Sequence, residues 1–219
     1  MEHGFDQRYW DEHWQQVHED SPAGHDLPPH PHLVSEVSDL VPGTALEAGC
    51  GEGAEAIWLA RAGWKVVAAD IAAEPLARAA GRAAAEGIGD DQIQWVRADL
   101  SSWEPTQTFD LVTTNYAHPA MSQLAFYDRL SSWVAPGGSL LIVGHLHADH
   151  GGHHDHDRHP PAEASVTAVS ITARLDPATW VVVTADEHTR TLDTPGGGRV
   201  TLHDVVVRAT RRSTGPVSG

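Results

Sequence analysis

Hydrophobic and polar positions along the chain alternate between two periodicities, one typical of strands and the other of helices. Between about residues 41 and 144, short apolar runs bounded by turn residues alternate with longer segments of helical spacing. Regular alternation of this kind predicts a parallel sheet covered on both faces by crossover helices. The predicted strands read TALEA, KVVAAD, QIQWVRAD, FDLVTTN and SLLIVG, and the helices between them read AEAIWLARAG, EPLARAAGRAAAEG and MSQLAFYDRLSSWV.

Both ends of the chain depart from this alternation. Tyr9, Trp10, Trp14 and Val17 recur at helical spacing, and a second helix is predicted at about residues 32–40, after a Pro-rich connector. Near the other end, WVVVTADEHTR and VTLHDVVVRATRR predict two strands joined by a turn at TPGGG. The preceding AEASVTAVSITARL is ambiguous, and we favour a helix there. The whole pattern predicts an α/β, Rossmann-like fold with a seven-stranded, mostly parallel sheet, helices on both faces and an antiparallel C-terminal strand pair.

The 219 residues suit one domain, and 41% apolar residues are enough for a folded core. The apolar runs are far shorter than the roughly 20 residues that cross a membrane. We expect a cytoplasmic location, because the first residues lack the features of a signal peptide and the single cysteine, Cys50, cannot form an internal disulfide. The expected parts are an N-terminal lid or helical segment (1–40), a cofactor-binding core (41–144), a His-rich loop (145–161), a C-terminal helix and hairpin (162–212) and a disordered tail (213–219).

Charge narrows the range of partners. With 14 basic and 30 acidic residues, the formal net charge is −16, which repels phosphate backbones at long range. We therefore expect a small-molecule substrate, with no nucleic acid or membrane as partner, and a monomer or homodimer.

The run EAGCGEG, residues 47–53, joins a predicted strand to a predicted helix. Glycine lets a ligand approach the backbone closely, and a helix N-terminus offers unpaired N–H groups, so this is a cofactor-binding context. Gly49, Gly51 and Ala54 formally satisfy a relaxed dinucleotide fingerprint, but that match alone leaves the cofactor open. A Walker-type phosphate loop is excluded, because no Gly-Lys-Ser/Thr string is present.

Three acids accompany the loop. Glu47 precedes the glycines at the end of an apolar strand, where an unpartnered acid is costly to bury. Asp70 ends the second predicted strand, where a carboxylate can accept hydrogen bonds from ribose hydroxyls. Asp99 ends the third, near the place expected for an adenine amino group.

Together with the PGG at residues 136–138, these features resemble the class I S-adenosylmethionine-dependent methyltransferase family, whose first loop usually reads Asp/Glu-x-Gly-x-Gly-x-Gly. The loop EAGCGEG matches that pattern in full. A narrower likeness, to small bacterial methyltransferases of the tellurite-resistance type and their thiopurine-type relatives, is carried by YWDEHW, GCGEGAEAIWLARAGWKVVAAD and FDLVTTNYAH. The resemblance implies an enzyme that uses S-adenosyl-L-methionine and binds it through Glu47, Gly49, Gly51, Gly53, Asp70, Ile71, Asp99, Leu100 and Asn115. Aromatic faces attract a sulfonium, so Tyr9, Trp10 and Trp14 are candidates for a lid over the cofactor, with a helix packed on the sheet edge as the slightly favoured alternative.

In methyl transfer from a sulfonium the leaving group is already good, so the protein mainly aligns the nucleophile and excludes water. Ligands of open α/β sheets bind at the carboxyl ends of strands, which places Thr114, Asn115, Tyr116 and His118 at the expected floor of the site. Tyr116 and His118 are the candidate catalytic residues. His118 would serve as a general base if the nucleophile carries a proton.

A His-rich tract follows the fifth predicted strand. Residues 145–159 hold seven histidines among three aspartates, and imidazole with carboxylate suits a divalent transition metal. His145, His147 and His150 are the candidate metal ligands, but a solvated surface loop is the favoured interpretation, ahead of a loose metal buffer and of a metal at the active site. Two other functions stay open: a metal-sequestering protein on a methyltransferase-like scaffold, and a nicotinamide-dependent oxidoreductase, in which Glu47 would have no role.

Overall fold

The computed structural model describes residues 5–20, 28–146, 166–193 and 199–213. Within these ranges one sheet of seven strands carries helices on both faces. The strands are β1 (Thr44–Ala48), β2 (Lys65–Asp70), β3 (Ile93–Arg97), β4 (Phe109–Asn115), β5 (Val134–His145), β6 (Trp180–Asp193) and β7 (Arg199–Arg211). The helices are α1 (Gln7–Asp20), α2 (Pro31–Val37), α3 (Ala54–Arg61), α4 (Ala73–Ala85), α5 (Gln123–Ser132) and α6 (Ala168–Thr172).

The strand order is β3-β2-β1-β4-β5-β7-β6. The first five strands are parallel, β7 runs antiparallel to β5, and β6 runs antiparallel to β7. The predicted Rossmann-like, seven-stranded fold is therefore confirmed. Because β1, β2, β4 and β5 are parallel, their carboxyl ends meet at one edge of the sheet, where the predicted site residues lie.

Alternation of side chains along β5 divides the core between the two faces of the sheet. Leu140 and Ile142 pack on the face that α5 and α6 cover. Leu141 and Val143 pack on the opposite face, against α2, α3 and α4. A strand buried on both faces reads as a continuous apolar run, which explains why LLIV was recognisable in the sequence.

Three boundaries differ from the prediction. β5 begins at Val134, five residues early, because Val134 pairs with Phe109 before a register irregularity that accommodates the PGG run. α2 ends at Val37, where the hydroxyl of Ser38 donates to the carbonyl of Val34 and competes with further helical pairing. In AEASVTAVSITARL only α6 is helical among the described residues, from 166 onward, and it begins with a capping box at Thr167.

Most of the His-rich loop and of the predicted tail lies outside the described residues. Among the helices that are described, none combines the length and the apolar character needed to cross a membrane.

Candidate active site

The glycine loop after β1 adopts a backbone that favours glycine. Gly49, Gly51 and Gly53 have φ of +81°, +48° and +77°, a region that other L residues rarely adopt. A Cβ atom at Gly49 would lie 2.3 Å from the Cβ of Ala117, so the loop also packs too closely for a side chain there. The amide of Gly49 donates to the carbonyl of Ala69 at 2.8 Å, which holds the loop against the end of β2.

Helix α1 lies over this loop. The ring of Trp14 reaches within 3.1 Å of the point that a Cβ atom of Gly51 would occupy. The indole N–H of Trp10 donates to the carbonyl of His118 at 3.2 Å. Of the predicted lid residues, Trp14 therefore lies on the loop, whereas the ring contacts of Tyr9 are with neighbours in its own segment, Phe5, Trp10 and His13.

Glu47 and Asn115 leave two buried oxygens without partners beside the loop. Glu47 is fully buried at the end of β1, and its Oε1 accepts from the Asn115 amide at 3.1 Å. Among the described residues, neither Oε2 of Glu47 nor Oδ1 of Asn115 has a hydrogen-bond partner. Unpaired buried acceptors are costly, and two side by side indicate a place for a ligand's hydrogen-bond donor, such as an ammonium group.

Two further carboxylates lie against the same loop. Asp70 accepts from the amides of Gly51 at 2.8 Å and Ala72 at 2.9 Å, and Glu55 accepts from the amide of His30 at 3.0 Å. Burial raises the pKa of Asp70, of Glu55 and, most strongly, of Glu47, where the charge of Glu55 adds to the effect. The glycine loop is thus surrounded by carboxylates in an environment that disfavours negative charge. We call Glu47, Gly49, Gly51, Asp70 and Asn115 the glycine-loop site.

The predicted adenine-side residues have different surroundings. Asp99 is exposed, and its carboxylate accepts from the amide of Ser101 at 2.9 Å and from its hydroxyl at 2.7 Å, as in a turn. Leu100 is buried in the core, and Ile71 is half-buried with its carbonyl accepting from Arg97 at 3.2 Å. Contacts of these three residues with a cofactor stay a prediction.

Tyr116, directly after β4, is held in an unusual backbone conformation. Its φ of +57° is the one positive value among the described non-glycine residues, and such a conformation costs on the order of 1–3 kcal/mol. Its hydroxyl lies 3.1 Å from Nε2 of His30 and accepts from Nη2 of Arg190 at 3.3 Å. Arg190 also donates from Nε to Oδ2 of the fully buried Asp204 at 2.5 Å. We call His30, Tyr116, Arg190 and Asp204 the polar cluster.

The proton positions in the polar cluster follow from its contacts. Nδ1 of His30 accepts from the amide of His32 at 3.3 Å, so in the neutral ring Nε2 carries the hydrogen and donates to Tyr116. Burial lowers the pKa of His30 to about 4, which keeps the ring neutral at pH 7. Burial, with the neighbouring Asp204, raises the pKa of Tyr116, so the phenol keeps its proton.

The structure brings both candidate catalytic residues to one edge of the sheet. The rings of Tyr116 and His118 lie 4.4 Å and 5.4 Å from the ring of His145, which ends β5. His118 is only 8% exposed, and its Nε2 has no partner among the described residues.

Metal binding by the His-rich tract stays a prediction. Of its candidate ligands, His147 and His150 lie outside the described residues, and His145 is described. Across the described ranges, no group of three His, Cys, Asp or Glu side chains could hold a metal ion.

The comparisons agree with this fold and loop. Residues 45–138 match the family model described as a methyltransferase domain. With the parallel sheet, the left-handed glycine loop and the buried acid ahead of it, this match indicates that residues 45–138 form a methyltransferase domain. The resemblance stated for the sequence is confirmed at this level, and the narrower likeness to tellurite-resistance and thiopurine-type enzymes stays a prediction.

Particular relatives can be named. An uncharacterised methyltransferase of Mycobacterium tuberculosis is 39% identical over 100 residues, covering 45% of this chain and 48% of the relative. Thiocyanate methyltransferase 1 of Arabidopsis thaliana is 26% identical over 86% of this chain and 80% of its own length. The chain thus spans about half the length of its Mycobacterium relative. Magnesium protoporphyrin IX methyltransferase of Synechocystis, solved with bound S-adenosylmethionine, shares the fold at a TM-score of 0.57 and 18% identity, over 94% of this chain and 83% of its own.

The sequence analysis missed most of the polar cluster. Asp204 stands alone among apolar residues of β7, the same signal of a costly buried acid that singled out Glu47. Arg190 and His30 gave no such signal, because their surroundings in sequence are polar. Gln123, which contacts His118, was also missed, since a glutamine at the start of a helix is unremarkable by itself.

Proposed function

We propose that this protein transfers the methyl group of S-adenosylmethionine to a small-molecule acceptor. One observation carries the proposal: the unpartnered, buried oxygens of Glu47 and Asn115 lie beside a glycine loop at the carboxyl end of β1, the edge at which ligands of open α/β sheets bind. Glu47 and Asn115 would receive the ammonium group of the cofactor. When bound, the cofactor supplies an electrophilic methyl group on a sulfonium.

Charge supports a cationic ligand. S-adenosylmethionine carries an ammonium, a sulfonium and one carboxylate, so it is positive overall. Glu47, Glu55 and Asp70 all have raised pKa values in the ligand-free protein, because burial penalises their negative charge. A cation bound here would favour the ionised carboxylates and relieve part of that penalty. A nicotinamide cofactor, with its negative pyrophosphate, would increase the penalty on these negative charges.

The remaining roles follow the sequence predictions. Asp70 retains a second lone pair on each carboxylate oxygen, with which it can accept from ribose hydroxyls while still holding the loop. Gly49, Gly51 and Gly53 would let the methionine part approach the backbone. Trp14 would cover it, with an aromatic face available to a sulfonium. Ile71, Asp99 and Leu100 would line the adenine side, and Tyr9 would support the cover.

The acceptor is proposed to be a small molecule. The enclosed edge beneath α1 and the net charge of −16 both disfavour a nucleic acid. The Arabidopsis relative is named for thiocyanate, an acceptor of small size. A cytoplasmic location and a monomeric or homodimeric state belong to the same proposal.

Binding of radiolabelled S-adenosylmethionine, measured by equilibrium dialysis, tests the proposal. The wild type is expected to bind one equivalent, and Asp70→Ala to bind at least about tenfold more weakly, because a charged hydrogen-bond acceptor is lost. Asp186→Asn, at an exposed position of β6, is the control and should bind like the wild type. Equal binding by Asp70→Ala and the control, or no binding by the wild type at millimolar cofactor, refutes the proposal.

A further inference from the structure

The hydrogen bonds around His118 determine which of its nitrogens carries the proton. The side-chain nitrogen of Gln123 donates to the carbonyl of Ala117 at 2.9 Å, which orients the amide. Oε1 of Gln123, an acceptor, therefore faces Nδ1 of His118 at 3.2 Å. An acceptor at this position requires a hydrogen on Nδ1, so in the neutral ring Nε2 is the nitrogen with the free lone pair.

That lone pair is buried and unused. Nε2 of His118 has no hydrogen-bond partner among the described residues, although the side chain is only 8% exposed. Leaving a buried acceptor unpaired costs free energy, and such atoms in native structures call for an explanation. The position of His118 supplies an explanation: Ala117, the residue before it, packs on Gly49 of the glycine-loop site.

Among the described residues, aromatic rings pack against His118. Phe5 of the N-terminal segment lies 5.6 Å away and His145 of β5 stacks at 5.4 Å, measured between ring centroids. Burial lowers the pKa of His118, and the hydrogen bond to Gln123 offsets part of that effect.

We propose that Nε2 of His118 is the base that receives a proton from the acceptor, that Gln123 is the residue that positions it, and that the acceptor is therefore a protonated nucleophile: a thiol, hydroxyl or amine. This inference rests on the proposed function. In the step, a lone pair of the acceptor atom forms the bond to the methyl carbon, and the carbon–sulfur bond breaks with its electrons going to sulfur. The acceptor's proton passes to Nε2, leaving a methylated acceptor, a neutral thioether and an imidazolium that releases the proton to water.

An acceptor that is already an anion would not need this arrangement. Thiocyanate or iodide has no proton to lose, and a buried lone pair aimed at it would be repulsive. Phe5 packs against the ring and Trp10 donates to the backbone carbonyl of His118, so an acceptor would reach Nε2 only after this N-terminal segment moves.

The test uses the full-length protein, S-adenosylmethionine and a panel of probes: small thiols and phenols of graded acidity, benzylamine, thiocyanate and iodide. We expect methylation of protonated members and not of thiocyanate or iodide. His118→Asn, which keeps a polar atom near Gln123 but deletes Nε2, should lower kcat by about 100-fold or more with KM little changed. The loss should shrink for the most acidic thiols, which ionise without a base.

Gln123 is tested by its own variants. Gln123→Leu should lower kcat by about tenfold, and Gln123→Glu, which restores an oxygen opposite Nδ1, should recover most of it. The matched control is Gln94→Leu, at an exposed position of β3, with unchanged kcat. Nitrogen NMR shifts of the His118 ring should show hydrogen on Nδ1 in the wild type and a mixture of tautomers in Gln123→Leu, a readout that does not depend on turnover.

The outcomes separate this inference from the proposed function. If the wild type does not bind S-adenosylmethionine, the proposed function fails. If it binds, the inference is overturned by any of three results: methylation of the anions but not the protonated probes, no methylation of any protonated probe, or kcat in His118→Asn equal to that of the wild type. Hydrogen on Nε2 in the wild-type ring would also overturn it.

Discussion

The glycine-loop site and the polar cluster lie at the same edge of one sheet but are assembled in opposite ways. In the glycine-loop site, the amide of Gly51 meets the carboxylate of Asp70 across 19 positions of sequence, on consecutive strand–loop–helix units. In the polar cluster, Tyr116 meets His30 across 86 positions and Arg190 across 74. A site built from consecutive units leaves a readable spacing, whereas one built by a returning antiparallel hairpin leaves scattered single residues.

The two sites also differ in how fully their buried polar atoms are hydrogen-bonded. The glycine-loop site has an excess of buried acceptors and a backbone that only glycine tolerates, so it is incomplete without a donor-rich ligand. In the polar cluster an arginine, a carboxylate, a phenol and an imidazole bond to one another, and among the described residues one buried oxygen, Oδ1 of Asp204, has no partner. We infer that the first site is shaped for binding and the second for holding the residues after β4 in place.

The largest effect on stability and on cofactor binding should come from adding a side chain to the glycine loop. Gly49→Ala forces a side chain into a left-handed conformation and places its Cβ 2.3 Å from that of Ala117. We expect a loss of about 3 kcal/mol in unfolding free energy, together with loss of cofactor binding. Urea denaturation measures the first and dialysis the second. Gly81→Ala is the matched control: it lies within α4 with open space around it, and it should stabilise by about 1 kcal/mol. A Gly49→Ala protein as stable as the wild type contradicts the loop geometry.

A smaller loss of stability is expected from a substitution in the polar cluster. Asp204→Asn removes the charge that balances Arg190, and breaking a buried pair of this kind costs several kcal/mol. Because the Arg190 side chain is 30% exposed and can be partly solvated, we expect about 2 kcal/mol in urea denaturation. Asp186→Asn, in the same hairpin but exposed, should change stability by less than about 0.5 kcal/mol. Cofactor affinity should stay within about threefold of wild type for both variants, because this cluster does not belong to the glycine-loop site. Equal stability of the two variants would show that Asp204 is not part of a buried network.

The sequence predicts the core and the glycine-loop site well, and it predicts the polar cluster poorly. Elements of the core were predictable because strands buried on both faces and Ala-rich helices have distinct periods, and Glu47, Gly49 and Asp70 were predictable because a motif fixes their order. The start of β5 at Val134 was not predictable, because Pro136 and Gly137 normally break a strand. Only the pairing of Val134 with Phe109 overrides that tendency. Arg190 and His30 were not predictable from their polar local sequences, and the local signal at Asp204 did not indicate its partners, because nothing in the sequence shows that three distant segments converge on Tyr116.

The smallest effect on stability, with the opposite sign, is expected for Glu47→Gln. Burial raises the pKa of Glu47 in the folded state, so the ionised carboxylate is less favourable there than in the unfolded chain. The penalty is absent below the unfolded pKa of about 4.3 and complete once the pH exceeds the folded value, so stability falls as the pH rises between them. The ligand-free variant should therefore lose less stability than the wild type from pH 4 to pH 8, while binding S-adenosylmethionine about tenfold more weakly. Asp90→Asn, exposed, should follow the wild type in both measurements.

The central claim is that the glycine-loop site binds the cation S-adenosylmethionine through buried carboxylates with raised pKa values. Calorimetric titration of the wild type with S-adenosylmethionine at pH 6, where the α-amino group of the ligand is already protonated, in two buffers of different ionisation enthalpy, tests it most directly. The account predicts saturable one-to-one binding with release of protons to the buffer, and less release for the demethylated product, which has lost the sulfonium charge. The absence of saturable heat at millimolar ligand, or binding with uptake of protons, would contradict it.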